Sequence, residues 1–155
     1  MTQYFLEDHI QGDSVRCGSY AVTAEEIIAF ATKWDPQPWH TDEAAANASI
    51  FGGLTACSAH IFSIFCITSP QWENGGVQQA LASLGFDEMR MLAPVYAGDT
   101  LRCVTVFETV RPSRSKPDRG IIVYASTLYN QREEAVFSIK CTTLTARRPG
   151  VDQPD

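Results

Sequence analysis

The stretch that most constrains this chain runs from Leu54 to Thr68, where Ile61, Phe62, Ile64, Phe65 and Ile67 are spread around the whole circumference of a helical wheel. The spacing predicts a helix over roughly 55–69, and a helix apolar on nearly every side must be wrapped by other elements. It is too short to cross a bilayer, which takes about 20 apolar residues, and Ser58, His60 and Ser63 interrupt it. A buried helix follows, and the rest of the chain must supply its cover.

The cover lies downstream. Runs at 81–92, 100–111, 120–130 and 135–147 are rich in Val, Ile, Thr and aromatic residues and are predicted to be strands. Tight turns at Ala97-Gly98-Asp99 and Asn130-Gln131-Arg132-Glu133, and a longer one over Pro112 to Asp118, imply antiparallel pairing of successive strands. Upstream, Ser14 to Val22 reads as a short strand. Thr23 and Glu26 then form a capping box that opens a helix running to Trp34, with Ile27, Ile28, Ala31 and Trp34 on its buried face. Asp35-Pro36-Gln37-Pro38 stops that helix and predicts a stiff loop, because a proline lacks an N–H and disfavours helical geometry in the residue before it. Thr41 or Asp42 caps a short Ala-rich helix through Asn47, and Gly52-Gly53 lets the chain turn. Helices first and strands after predict an α+β domain in which one antiparallel sheet curls around a long central helix, the hotdog arrangement. One domain is expected over 1–148, with a flexible tail at 149–155.

A formal net charge of -6 argues against a nucleic-acid or anionic-membrane partner. Five cysteines, Cys17, Cys57, Cys66, Cys103 and Cys141, are odd in number and form no C-x-x-C pair, so reduced thiols in a cytoplasmic protein are expected. Glu7, Asp8 and Asp13 stand where an export signal would carry cations and then an apolar run.

Three histidines are the candidates for acid–base chemistry. His9 lies in a polar segment and reads as exposed and inert; His60, inside the apolar helix, reads as a core histidine satisfied by a backbone carbonyl. His40 follows the proline-stiffened loop with Asp35 and Asp42 on either side. General acid–base catalysis wants such a histidine together with a carboxylate on a rigid backbone. The competing readings are that Asp35 merely ends one helix and Asp42 caps the next, or that His40, Asp42 and His60 hold a metal. The metal reading has loose spacing and no obvious further ligand, so no metal is expected.

Taken in order, Asp35-x-x-Pro38-x-His40-x-Asp42, Phe51-Gly52-Gly53-Leu54 and Pro94-Val95-Tyr96-Ala97-Gly98-Asp99-Thr100-Leu101 resemble the MaoC-like dehydratases, or R-specific enoyl-CoA hydratases, over about residues 5–147. The resemblance implies a homodimeric hotdog protein that needs no cofactor beyond its acyl-CoA substrate. Asp35 and His40 would stand where the family keeps its catalytic pair, activating the water that adds across an α,β-unsaturated thioester to give the (R)-3-hydroxyacyl-CoA. It also implies a backbone N–H at the start of the central helix, carried over onto Ser58, as the oxyanion donor. Gln37, Trp39, Gly53 and Cys66 become candidate substrate contacts. Arg114 and Lys116, in the basic turn Arg111 to Arg119, become candidate ligands for a CoA phosphate, the other reading being a solvated hairpin tip. Trp34, Trp39 and Trp72 fit an acyl pocket or plain aromatic packing equally.

Three departures from the family pattern stand out: Gln37 where Asn is usual, Cys57-Ser58 where His-Gly is usual, and Cys66 where some members have serine. They keep open a non-catalytic acyl-CoA-binding or partner subunit. A hotdog thioesterase, which would not need Asp35 paired with His40, is the other alternative.

Overall fold

The computed structural model describes residues 1–150. Of the tail expected over 149–155, residues 151–155 lie outside the described residues.

Two short strands, β1 (Gln3–Tyr4) and β3 (Val77–Gln78), pair in parallel, and a 3-10 turn over Leu6–Asp8 follows the first. The other five strands form one antiparallel sheet in the order β2 (Ser14–Ala21), β5 (Thr100–Pro112), β6 (Arg119–Tyr129), β7 (Ala135–Ala146), β4 (Ala80–Met91). Between β2 and β4 in sequence come α1 (Ala24–Trp34), α2 (Pro38–Thr41), α3 (Glu43–Ala48) and the central α4 (Ser58–Thr68). The hotdog arrangement expected from helices first and strands after is the one observed. Among the described residues, no helix is long and apolar enough to cross a membrane.

Local chemistry accounts for the helix ends. The Thr23 side chain accepts the Glu26 N–H at 3.2 Å, and Asp42 accepts the Ala45 N–H at 2.7 Å, so Asp42 rather than Thr41 is the cap of α3. Each such cap is worth about 1 kcal/mol. The expected stiff loop after α1 is partly helical: Pro38 opens the single turn α2, since the first position of a helix needs no N–H and suits proline's fixed φ.

Two expectations change, one about the sheet and one about the central helix. Successive strands pair along β5–β6–β7, but β4 does not pair with β5; it lies beyond β7, with Phe86 opposite Cys141 and Met91 opposite Phe137. The connector 92–99 therefore runs across the end of the sheet from one edge to the far side. It is pinned by the Ala56 N–H to Val95 O (2.9 Å) and the Ala97 N–H to Leu54 O (3.0 Å). Gly98 sits at φ +91° in its closing turn, a conformation side chains with a Cβ resist. The buried Asp99 carboxylate accepts the Tyr96 N–H at 2.9 Å and the Gln131 side-chain amide at 2.8 Å, locking that turn.

The second change concerns α4. Ile61, Ile64, Phe65 and Thr68 are buried against the sheet, while Ser58, Ala59, Ser63, Cys66 and Ile67 are exposed. One chain wraps only half of a helix that is apolar on most sides. The neighbouring edge strand is bare as well, with Leu81, Leu84, Phe86, Met89 and Met91 all exposed.

Candidate active site

His40 is placed by a short relay of backbone bonds. The Asp35 N–H closes α1 onto Ala31 O at 2.9 Å, the Gln37 N–H bonds Asp35 O at 2.7 Å, and the His40 N–H bonds Gln37 O at 3.0 Å. The Thr41 hydroxyl also donates to Gln37 O, at 3.0 Å. Gln37 thus acts through its carbonyl, and its side chain is exposed.

The imidazole points inward and is 8% exposed. Its Nδ1 lies 2.6 Å from Thr55 O, and a carbonyl only accepts, so Nδ1 carries the hydrogen. Nε2 is then the basic nitrogen. It accepts a hydrogen bond from the Trp39 indole N–H at 3.1 Å.

The histidine forms part of the wall of a cavity of about 320 Å³. The β4–β5 connector, from Leu92 to Val95, closes one side of it; Phe51, Ile61 and the chain from Thr55 to Ser58 close the rest. That lining is mainly apolar, as small-molecule sites usually are. Into it opens the start of α4. The preceding residue, Cys57, is extended and makes no side-chain bond to the first turn. The Ser58 N–H is therefore at an uncapped helix start, where unpaired donors and the helix dipole both favour negative charge.

The remaining sequence candidates are more scattered. Asp35 is half-buried at the end of α1 and outside the wall of the His40 cavity; its carboxylate makes no hydrogen bond among the described residues. Gly53 packs against the Tyr96 ring, which would lie 3.4 Å from an added Cβ, and the Tyr96 hydroxyl in turn holds Phe51 O at 2.8 Å. Cys66 borders a separate cavity of about 200 Å³ with Phe86, Tyr124 and Cys141. Desolvation and then the nearby Cys141 push its thiol pKa up, so it stays protonated at neutral pH. Arg114 and Lys116 lie beyond the far end of β5 and β6. Met91, at the cavity, faces Phe137 and through it Leu128, and from Leu128 back to Gly120 is roughly 26 Å at about 3.3 Å per residue. One chain therefore does not bring the basic turn to His40.

The other histidines differ from expectation. His9 is buried, not exposed, because the β1–β3 pairing and the 3-10 turn fold the polar N-terminal segment back onto the sheet. It is enclosed by Tyr4, Trp72 and Phe107, with ring centroids 6.3, 5.6 and 4.8 Å away, and its Nε2 has no hydrogen-bond partner among the described residues. Trp72 is thus committed to packing, while Trp34 is 64% exposed beside Lys33. His60 is buried as expected but has no carbonyl partner among the described residues. It stacks on Phe30 at 4.6 Å, and its Nε2 lies 3.5 Å from the Glu26 carboxylate, close enough for charge to be felt but poorly aligned for a hydrogen bond. Glu26 is instead bonded by the Tyr20 hydroxyl at 2.5 Å. With the Asp42 carboxylate used in capping and His60 turned toward α1, the group His40, Asp42 and His60 is not assembled. No cluster of three or more metal-ligating side chains occurs among the described residues.

Sequence reasoning missed Thr55, whose carbonyl sets the tautomer of His40, and Phe51 and Met91 in the cavity wall. No residue-type signal marks a backbone carbonyl, but the Pro94-Val95 motif did lie on the wall.

A hotdog domain with a buried histidine and an uncapped helix start sharing one apolar cavity defines the class. The chain belongs to the MaoC-like domain family, whose model matches residues 8–128. It is similar to the crystal structure of a MaoC-like dehydratase from Rhodospirillum rubrum, with 36% identity, 94% of this chain and 99% of that chain covered, and a TM-score of 0.86. It is also 27% identical to the uncharacterized protein YdeM of Bacillus subtilis, over 92% of this chain and 99% of the relative. The unliganded R-hydratase PhaJ1 of Pseudomonas aeruginosa shares the fold, with a TM-score of 0.73 at 15% identity over 97% of this chain and 94% of that one.

Proposed function

We propose that this protein is a hydro-lyase acting on an α,β-unsaturated acyl-CoA. The observation that carries the reading is that His40, whose Nδ1 is bonded to Thr55 O, and the uncapped start of the central helix line one apolar cavity. Hydration needs both. A water activated by His40 attacks the β-carbon and loses one proton to it, with Asp35, which lies outside the cavity wall of the single chain, proposed as the second member of the pair. The π electrons move to the thioester, whose oxygen becomes an enolate bound by the Ser58 N–H. Return of a proton to the α-carbon completes the (R)-3-hydroxyacyl-CoA, and dehydration reverses each step. No redox change occurs, so no cofactor is required. The name of the R. rubrum relative and the shared fold of an R-hydratase support the same chemistry.

A homodimer fits this reading. A second copy on the β4 edge and the open face of α4 would cover the exposed apolar residues of both. If the copies joined their β4 edges by a two-fold axis normal to the sheet, strand directions would reverse across the axis. The Arg114–Lys116 turn of one copy would then lie at the same end as the cavity of the other, as a phosphate-bearing substrate requires.

The test is loss of enoyl-thioester absorbance with a panel of short, long, branched and dicarboxylic enoyl-CoAs. Hydration of at least one member is expected. Release of free CoA thiol from saturated acyl-CoA would instead mark a thioesterase, and binding without turnover a partner subunit.

A further inference from the structure

We propose that Trp39 caps the catalytic base: in the unliganded protein its indole N–H occupies the one nitrogen of His40 that can take a proton, and substrate enters by displacing it. The inference rests on His40 being the base of the hydration proposed above. Nδ1 is committed to Thr55 O at 2.6 Å, so Nε2 alone is left for chemistry. The Trp39 Nε1–H donates to that atom at 3.1 Å, with the two rings 5.9 Å apart and inclined at 65°, an edge-on donation and not a stack. This is the indole's single hydrogen bond among the described residues, and an indole has no acceptor with which to share a water.

The burial of the two residues gives the cap its direction. His40 is 8% exposed while Trp39 is 37% exposed, so the base is the inner member and the indole the outer, movable one. Both belong to the single turn α2, whose backbone is held by the relay through Gln37. The indole can therefore leave by side-chain rotation alone, with His40 staying fixed to Thr55. A neutral hydrogen bond of this kind holds the capped state by roughly 2- to 10-fold over the open one. That is weak enough for a substrate to overcome and strong enough to hold the base closed between turnovers.

The test combines a spectroscopic and a kinetic measurement. In ¹H–¹⁵N spectra of the full-length protein, the indole signal that disappears in Trp39→Phe belongs to Trp39. It is expected to be displaced downfield of the exposed Trp34 signal, to exchange more slowly with water, and to move toward it in His40→Asn, which removes the acceptor. Kinetically, Trp39→Phe keeps an aromatic ring but has no N–H to cap with. It is expected to raise kcat/KM for the active enoyl-CoA roughly 2- to 10-fold through KM, with kcat unchanged. A purely structural role would lower kcat/KM. A Trp39 signal that matches exposed Trp34 and ignores His40→Asn, or a Trp39→Phe enzyme with reduced kcat/KM, overturns the cap. A shifted indole signal in a protein that hydrates no enoyl-CoA would leave the cap standing and remove the hydratase reading instead.

Discussion

His9 and His60 are the two side chains whose burial has a direct price in acid. Both have pKa values held below the ordinary 6.5, His9 by desolvation against the pull of Asp8, His60 by desolvation against the pull of Glu26. The unfolded chain takes up these protons first as pH falls through 6.5, so the stability they allow above that value is lost below it. Thermal midpoints are expected to drop between pH 7.5 and 5, and His9→Gln or His60→Gln to flatten that slope; an unaltered slope in both variants would contradict it. On the reading proposed above, Asp35→Asn or His40→Asn lowers hydration on the order of 10²-fold or more while leaving circular dichroism intact. Near-wild-type turnover by either folded variant would remove that residue from the mechanism. Residue type and order made His40 a candidate, and the fold places it on the cavity wall, but they carried no sign of its tautomer. Thr55 sets that through a carbonyl, an atom every residue possesses. His9 was misread because polarity along the chain does not report a segment folded back under aromatic rings.

Among the elements, α4 carries the sharpest expectation. The proposed oxyanion donor is the backbone of Ser58, so Ser58→Gly should be tolerated. Ser58→Pro, at a position where proline fits a helix, should cost about 10²–10³ in rate. A folded proline variant of normal activity would place the thioester oxygen elsewhere. The connector 92–99 offers a second, independent check. Gly98→Ala meets no atom within 4 Å but must hold φ +91°, so a loss of roughly 1–2 kcal/mol in denaturant unfolding is expected from backbone strain alone. The predicted spans of α1 and of the long strands lie within a few residues of those observed because caps, prolines and β-branched runs are local signals. The place of β4 beyond β7 was not legible. Strand order depends on where an eight-residue connector is pinned, and those pins are backbone bonds at Leu54, Ala56, Val95 and Ala97.

At the scale of the molecule, the bare edge of β4 and the uncovered half of α4 are parts of one apolar surface: Phe62 on the helix meets Phe86 on the strand at 5.1 Å. On the homodimeric hydratase proposed above, Leu84→Lys with Phe86→Lys is expected to shift sedimentation from dimer to monomer and to reduce hydration with it, since charges on an edge oppose strand pairing. A doubly substituted protein that stays dimeric would direct attention to another face.

The strand order also sets when, and not only where, the parts of this protein meet. Tyr20 finds Leu101, and Met91 finds Phe137, across long spans of chain, so neither edge of the sheet is made from neighbours in sequence. A ribosome releasing the chain from its N-terminus delivers α4 well before β7, the strand that must sit between β6 and β4. Through that interval the most apolar helix of the protein has no sheet to lie on. Such non-local pairing folds in milliseconds to seconds rather than microseconds. The growing chain thus passes through a period in which chaperone binding, or premature association of two nascent copies through α4, competes with its own folding.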